Sequence, residues 1–134
     1  MKPKVLIVDD NAAMRRLVRS IVRELSDTIL ECSDGAEAIR SYREHRPDWV
    51  LMDIEMPGKN GLFATREICA AFPEARVVIV TRHRDAAMRQ AAMDAGARAY
   101  VLKENLNELW HVLTEPDTSD VRVSSETPFP EKES

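Results

Sequence analysis

Over its first 113 residues the chain switches repeatedly between short continuous apolar runs and stretches whose apolar residues recur every three or four positions. A short β-branched run reads as a strand covered on both faces, and the three-to-four spacing reads as an amphipathic helix. Val5-Leu6-Ile7-Val8 is the first strand, broken by Asp9-Asp10-Asn11. Met14, Leu17, Val18, Ile21, Val22 and Leu25 then place one apolar stripe along a helix that Asn11 caps. Thr28 to Cys32 is the second strand. Asp34-Gly35-Ala36-Glu37 has the spacing of a capping box, with Ile39 and Tyr42 facing inward and Pro47 stopping the chain after the helix.

Trp49 to Met52 is the third strand, followed by the turn-rich segment Pro57-Gly58-Lys59-Asn60-Gly61. Leu62, Thr65, Ile68, Cys69 and Phe72 mark a third helix that ends before Pro73. Val77 to Val80 is the fourth strand. The fourth helix carries Met88, Ala91, Ala92 and Ala95 on one side, with Gly96 as its C-terminal cap. Tyr100-Val101-Leu102 is the fifth strand, and Leu106, Leu109, Trp110 and Leu113 repeat at helical spacing in a short last helix. Five βα units with right-handed crossovers predict an α/β doubly wound domain, a five-stranded parallel sheet with helices on both faces.

Charge separates this domain from the C-terminal segment. The formal net charge of −4 lies entirely from Thr114 onward, where Glu115, Asp117, Asp120, Glu126, Glu131 and Glu133 outnumber Arg122 and Lys132. That segment also holds Pro116, Pro128 and Pro130 among Ser and Thr, a composition with too little apolar surface to offset ordering entropy. The expected organisation is one domain over residues 1–113 and an acidic tail or linker over 114–134. A neutral domain with an acidic tail argues against direct nucleic-acid binding, and Arg15, Arg16, Arg19 and Arg23 read as a solvated helix face. No apolar run reaches the length of a membrane helix, and the start of the chain does not read as a signal peptide, so a cytoplasmic protein is expected. Cys32 and Cys69 form no metal or redox motif and read as ordinary thiols.

The chemistry lies in the residues that end the strands. Asp9 and Asp10 end the first, Asp53 the third, Thr81 the fourth and Lys103 the fifth. In a parallel sheet these ends share one edge, where doubly wound folds bind their ligands. Three carboxylates brought together repel unless a proton or cation compensates. Oxygen-only ligands without histidine or thiolate select a hard ion, and a site left partly open to water and phosphate suits Mg²⁺ better than Ca²⁺. Asp53 then serves as nucleophile toward phosphorus, while Lys103 neutralises and the Thr81 hydroxyl donates to phosphoryl oxygens. Singly each residue has an ordinary explanation, such as a capping turn, a solvated acid or a surface charge. Five of them at one edge do not.

On Asp9-Asp10, on Asp53 within Leu51-Met52-Asp53-Ile54-Glu55-Met56-Pro57, and on Gly61-Leu62, Thr81, Gly96-Ala97 and Lys103, the sequence resembles the receiver domain of bacterial two-component response regulators from Pro3 to Leu113. The resemblance implies the flavodoxin-like strand order 2-1-3-4-5. It also implies phosphorylation of Asp53 by a sensor histidine kinase or phosphotransfer protein. Asp10 and Asp53 would ligate Mg²⁺ through side chains, Glu55 through its backbone carbonyl, and Asp9 through water. Thr81 and Tyr100 would be the switch pair. They would act on the surface formed by the fourth helix, fifth strand and fifth helix, where Arg84, Arg89, Glu104 and Trp110 lie and where a homodimer or partner would bind. Such a protein is a phosphoacceptor that catalyses its own phosphorylation and slow dephosphorylation, not an enzyme with a free substrate.

Three positions depart from the family's common pattern and bear on rates. Arg82 follows Thr81, where a small residue is usual, and Glu55 and His83 lie two residues after Asp53 and Thr81. Glu104-Asn105-Leu106 after Lys103 resembles receivers attached to helix-turn-helix output domains. Residues 114–134 are too few for an output module, so output is expected through association, or through a further domain if the natural chain continues. The competing classes are a phosphohydrolase with an aspartate nucleophile, which lacks the expected Asp-x-Asp and cap, and a pseudo-receiver that only binds partners.

Overall fold

A computed structural model of the chain describes residues 2–56 and 60–114. Its elements alternate as β1 (Lys4–Val8), α1 (Ala12–Val22), β2 (Thr28–Cys32), α2 (Gly35–His45), β3 (Trp49–Met52), α3 (Gly61–Ala71), β4 (Val77–Thr81), α4 (Ala86–Asp94), β5 (Ala99–Leu102) and α5 (Glu108–Thr114), with a 3₁₀ turn over Lys103–Asn105. The strands form one parallel sheet in the order β2-β1-β3-β4-β5. The turn residues Pro57 to Lys59 and the tail from residue 115 lie outside the described residues, and α5 includes Thr114.

Strand pleat divides the core in two. Leu6 and Val8 of β1 point into one layer with Ala38 and Tyr42 of α2, Ala64 and Ile68 of α3 and Ala92 of α4. Val5 and Ile7 point the other way, onto Val18 and Val22 of α1 and Leu109 and Leu113 of α5. Since both faces of each central strand are covered, β1, β3 and β4 are continuous apolar runs. The small residues Ala64 and Ala92 let α3 and α4 pack against the sheet.

Local chemistry sets the helix ends. Asn11, Asp34, Asn60 and Asp85 each accept from the backbone N–H three residues on, at 3.0, 2.8, 2.9 and 3.3 Å. In the capping box expected at α2, Glu37 reaches back to the Ser33 N–H at 2.9 Å, one residue before the cap. Gly96, just past α4, sits at φ 110°, which side chains other than hydrogen rarely tolerate.

Two of the residues expected on inward faces are exposed. Leu17 is 47% accessible and Trp110 39%. The stripe of α1 is narrower than its apolar pattern: Val18 and Val22 are buried, while Met14, Ile21 and Leu25 are half-buried against the same layer. The stripe expected on the last helix starts early, because Leu106 packs from the turn before α5. The arginines of α1 are not uniformly solvated either, since Arg15 and Arg19 both pair with Glu31 of β2.

A methyl group on Gly96 would stand 2.7 Å from the Cys69 Cβ, besides straining the backbone. Gly96→Ala is expected to lower stability by about 1–3 kcal/mol. Urea denaturation measures this, and an unchanged midpoint would contradict the assignment.

Candidate functional site

Parallel register brings the strand ends level. Val8 pairs with Met52, and Thr81 with Leu102, so Asp9 and Asp53 emerge side by side and Lys103 follows directly from the strand beside Thr81. Backbone hydrogen bonds lock the exits: the Asp53 N–H donates to Val8 O at 2.9 Å and the Asp9 N–H to Cys32 O at 3.1 Å. The start of α3 lies hard against the same point. The Gly61 N–H donates to Ile54 O at 3.0 Å, and a Cβ on Gly61 would fall 1.9 Å from the Asp53 carbonyl oxygen, so only glycine fits.

The structure brings Asp9, Asp10 and Asp53 together, with one carboxylate oxygen of each within 4.8 Å of the others. Asp9 and Asp53 are buried and Asp10 is exposed. The Lys103 ammonium sits between the two buried acids, 2.9 Å from Asp9 Oδ2 and 3.3 Å from Asp53 Oδ1. Thr81 is 1% accessible. Its Oγ1 accepts from the His83 N–H at 3.3 Å, which leaves the hydroxyl hydrogen free to donate elsewhere.

The outer residues are also placed. The Glu55 carboxylate and the His83 ring meet at 3.0 Å between the loops after β3 and β4. Tyr100 is buried and its hydroxyl donates to His83 O at 2.8 Å, with the Arg89 guanidinium 4.7 Å from its ring centre. Arg84 pairs with Glu104. Arg82 is exposed, and no pair links it to any described residue. The sequence reading missed Arg15, whose Nη1 donates to the Asp9 carbonyl oxygen at 2.6 Å from α1. The one sign available in the sequence was its position beside the inward stripe of α1.

Three clustered carboxylates with no nitrogen or sulfur donor form a hard donor set, and an open side at Asp10 gives access, so the residues present fit a hard divalent cation. Without a cation the cluster is frustrated. Burial first, then the Asp9 charge, push the Asp53 carboxyl up to about 6, against the opposing pull of Lys103.

That shift fixes a sign. The folded state holds the Asp53 proton more tightly than the unfolded state, so this group's contribution falls as pH rises from its ordinary 3.8 to about 6. In cation-free protein, Asp53→Asn should therefore be more stable than the parent at pH 7, by on the order of 2 kcal/mol, with the gain shrinking toward pH 4. Thermal unfolding in chelator across this range measures it; a variant less stable than the parent at neutral pH would contradict the electrostatic picture.

The same combination occurs in known proteins. Residues 5–114 match the response regulator receiver domain family. The chemotaxis protein CheY of Bacillus subtilis is 36% identical over 104 residues, covering 77% of this chain and 87% of that protein. The oxygen regulatory protein NreC of Staphylococcus epidermidis is 35% identical over 108 residues, covering 78% of this chain, and the chain spans 50% of its length. Among solved structures, a two-component response regulator of the LuxR family from Aurantimonas sp. SI85-9A1 superposes with a TM-score of 0.78 at 36% identity, over 83% of this chain and 81% of that one. With its five parallel strands in the order 2-1-3-4-5, the chain belongs to the receiver domains of two-component response regulators.

Proposed function

We propose that the chain is a phosphorylation switch in which Asp53 accepts a phosphoryl group from the phosphohistidine of a sensor histidine kinase or phosphotransfer protein, in the presence of Mg²⁺. Lys103 carries this proposal: its ammonium bridges the buried Asp9 and Asp53 at the one edge where Asp10 and Thr81 also stand. A surface lysine does not bury itself between two acids unless their charges hold it there.

In the transfer, an Asp53 carboxylate oxygen attacks phosphorus, the phosphorus–nitrogen bond breaks with its electron pair going to nitrogen, and the donor ring, already protonated on its other nitrogen, leaves as neutral imidazole. The Lys103 ammonium is placed to move from the Asp53 oxygen to a phosphoryl oxygen as charge migrates there, and the Thr81 hydroxyl donates to another. Asp10, Asp53 and the Glu55 carbonyl would hold Mg²⁺ directly and Asp9 through water. When bound, the ion supplies charge neutralisation at the phosphoryl oxygens. The acyl phosphate is lost again when water attacks phosphorus, so the domain catalyses its own phosphorylation and slow dephosphorylation without a free substrate to turn over.

Phosphorylation adds about −1.5 to −2 charge beside Thr81. We assign the response to Thr81 and Tyr100, linked through His83, and the output to the surface of α4, β5 and α5 bearing Arg84, Arg89, Glu104 and Trp110, where a second copy or a partner would dock. Glu55, His83 and Arg82 are assigned to setting rates, since the Glu55–His83 pair ties the two loops that flank Asp53. No described helix is long and apolar enough to cross a membrane, and a cytoplasmic location is proposed. The alternative of a non-phosphorylated scaffold finds no support, because the acceptor, lysine and hydroxyl are all in place.

Incubation with Mg²⁺ and a small phosphodonor should leave one base-labile phosphate per chain at Asp53, absent from Asp53→Asn and reduced at least about tenfold in Lys103→Ala. Mass spectrometry of the acid-quenched protein reads both. Stoichiometric labelling of Asp53→Asn, or none of the parent, would reject the proposal. Alanine at Glu55 or at His83 should change the phosphoryl half-life; equal half-lives would remove those two residues from the scheme.

A further inference from the structure

Arg15 of α1 is half-buried, and its guanidinium is held at two points. Nε donates to Glu31 Oε1 at 3.0 Å and Nη1 to the Asp9 carbonyl oxygen at 2.6 Å. Arg19, one turn on, takes the other Glu31 oxygen at 2.8 Å. The carboxylate on β2 is thus gripped by successive turns of α1, and it fixes Arg15 in turn.

Asp9 has every polar group committed. Its N–H donates to Cys32, Oδ1 accepts from the Asn11 N–H, Oδ2 faces Lys103, and its carbonyl oxygen accepts from Arg15. Asp10 is the opposite case. Its carboxylate is exposed and makes no hydrogen bond or ion pair among the described residues. Its place within 4.8 Å of the other two acids is therefore set by the backbone that carries it. The peptide joining Asp9 to Asp10 is planar, and its oxygen is the atom Arg15 holds.

We propose that Arg15 is a positioning residue for divalent-cation binding: by fixing the Asp9–Asp10 peptide plane it keeps the Asp10 carboxylate presented to the crevice. The proposal rests on the use of that crevice for a cation in phosphoryl transfer. Two effects of removing Arg15 oppose each other. Coulomb repulsion between guanidinium and cation alone would make binding tighter in its absence. Loss of a partner that orients a ligand makes binding weaker, typically about 10- to 100-fold. Orientation wins here because the guanidinium bonds the Asp9 backbone carbonyl and not a carboxylate of the cluster, while Glu31, shared with Arg19, offsets part of its charge.

Calorimetric titration of Mg²⁺ into the full chain, without phosphodonor, separates the two. Arg15→Met and Arg15→Ala should each raise the dissociation constant about tenfold. Arg15→Lys, which can still donate to the Asp9 carbonyl, should recover much of the loss. Binding that is unchanged or tighter in the two neutral variants overturns the proposal, as does a lysine variant no better than methionine. A parent chain that binds no Mg²⁺ overturns the cation assignment itself and this proposal with it; a parent that binds while all variants bind equally overturns only the role of Arg15.

Discussion

The Lys103 ammonium between Asp9 and Asp53 is the contact on which the rest of this molecule turns. Two buried carboxylates side by side, with a third at 4.8 Å or less, would not persist in an apolar sheet edge without a compensating cation. Lysine supplies part of the compensation and no more, for the Asp53 carboxyl is still pushed up to about 6. The incompleteness is useful. A more fully neutralised cluster would attract a divalent cation less, and an uncompensated one would cost more stability.

The scaffold makes that balance possible by ordering. Lys103 follows β5, Asp53 follows β3 and Asp9 follows β1, and only a parallel sheet with all crossovers on its faces delivers three such ends to one edge. The apolar runs that bury both faces of β1, β3 and β4 therefore do more than fill a core. They hold charged residues at the end of rigid elements, where a shift of one residue in register would carry each to the wrong side of the sheet. Gly61 serves the same end, bringing α3 against the Asp53 backbone at a distance no side chain allows.

Strand and helix order, the five strand-end residues and the caps at Asn11 and Asp34 were legible in the sequence, because each depends on local pattern: β-branched runs, three-to-four spacing, and side chains that compete for backbone N–H groups. What escaped depends on relations between elements. Leu17 belongs by spacing to the stripe of α1, yet it is exposed, and burial on that helix centres on Val18 and Val22. Arg15 and Arg16 are adjacent and chemically identical, and nothing in the order of residues says that Glu31 on β2 will stand beside the first. Asp10 and Asp9 divide likewise: one is exposed and unpaired among the described residues, the other has every polar atom committed, and only the geometry of the β1 exit separates them.

His83 shows how the crevice would speak to the far surface. Its N–H donates to Thr81, its carbonyl accepts from Tyr100, and its side chain pairs with Glu55, so three functional positions meet on one loop residue. If the Thr81 hydroxyl is drawn toward a phosphoryl oxygen on Asp53, the His83 amide must either follow or lose its acceptor. Following moves the carbonyl on which the part-buried Tyr100 hydroxyl depends, and a lost hydrogen bond costs about 0.5–1.5 kcal/mol. That cost reaches the lower end of the coupling typical between two sites in a protein, about 1–3 kcal/mol. A single loop residue, held on both sides, would in this way couple charge at the sheet edge to packing under α4 and β5.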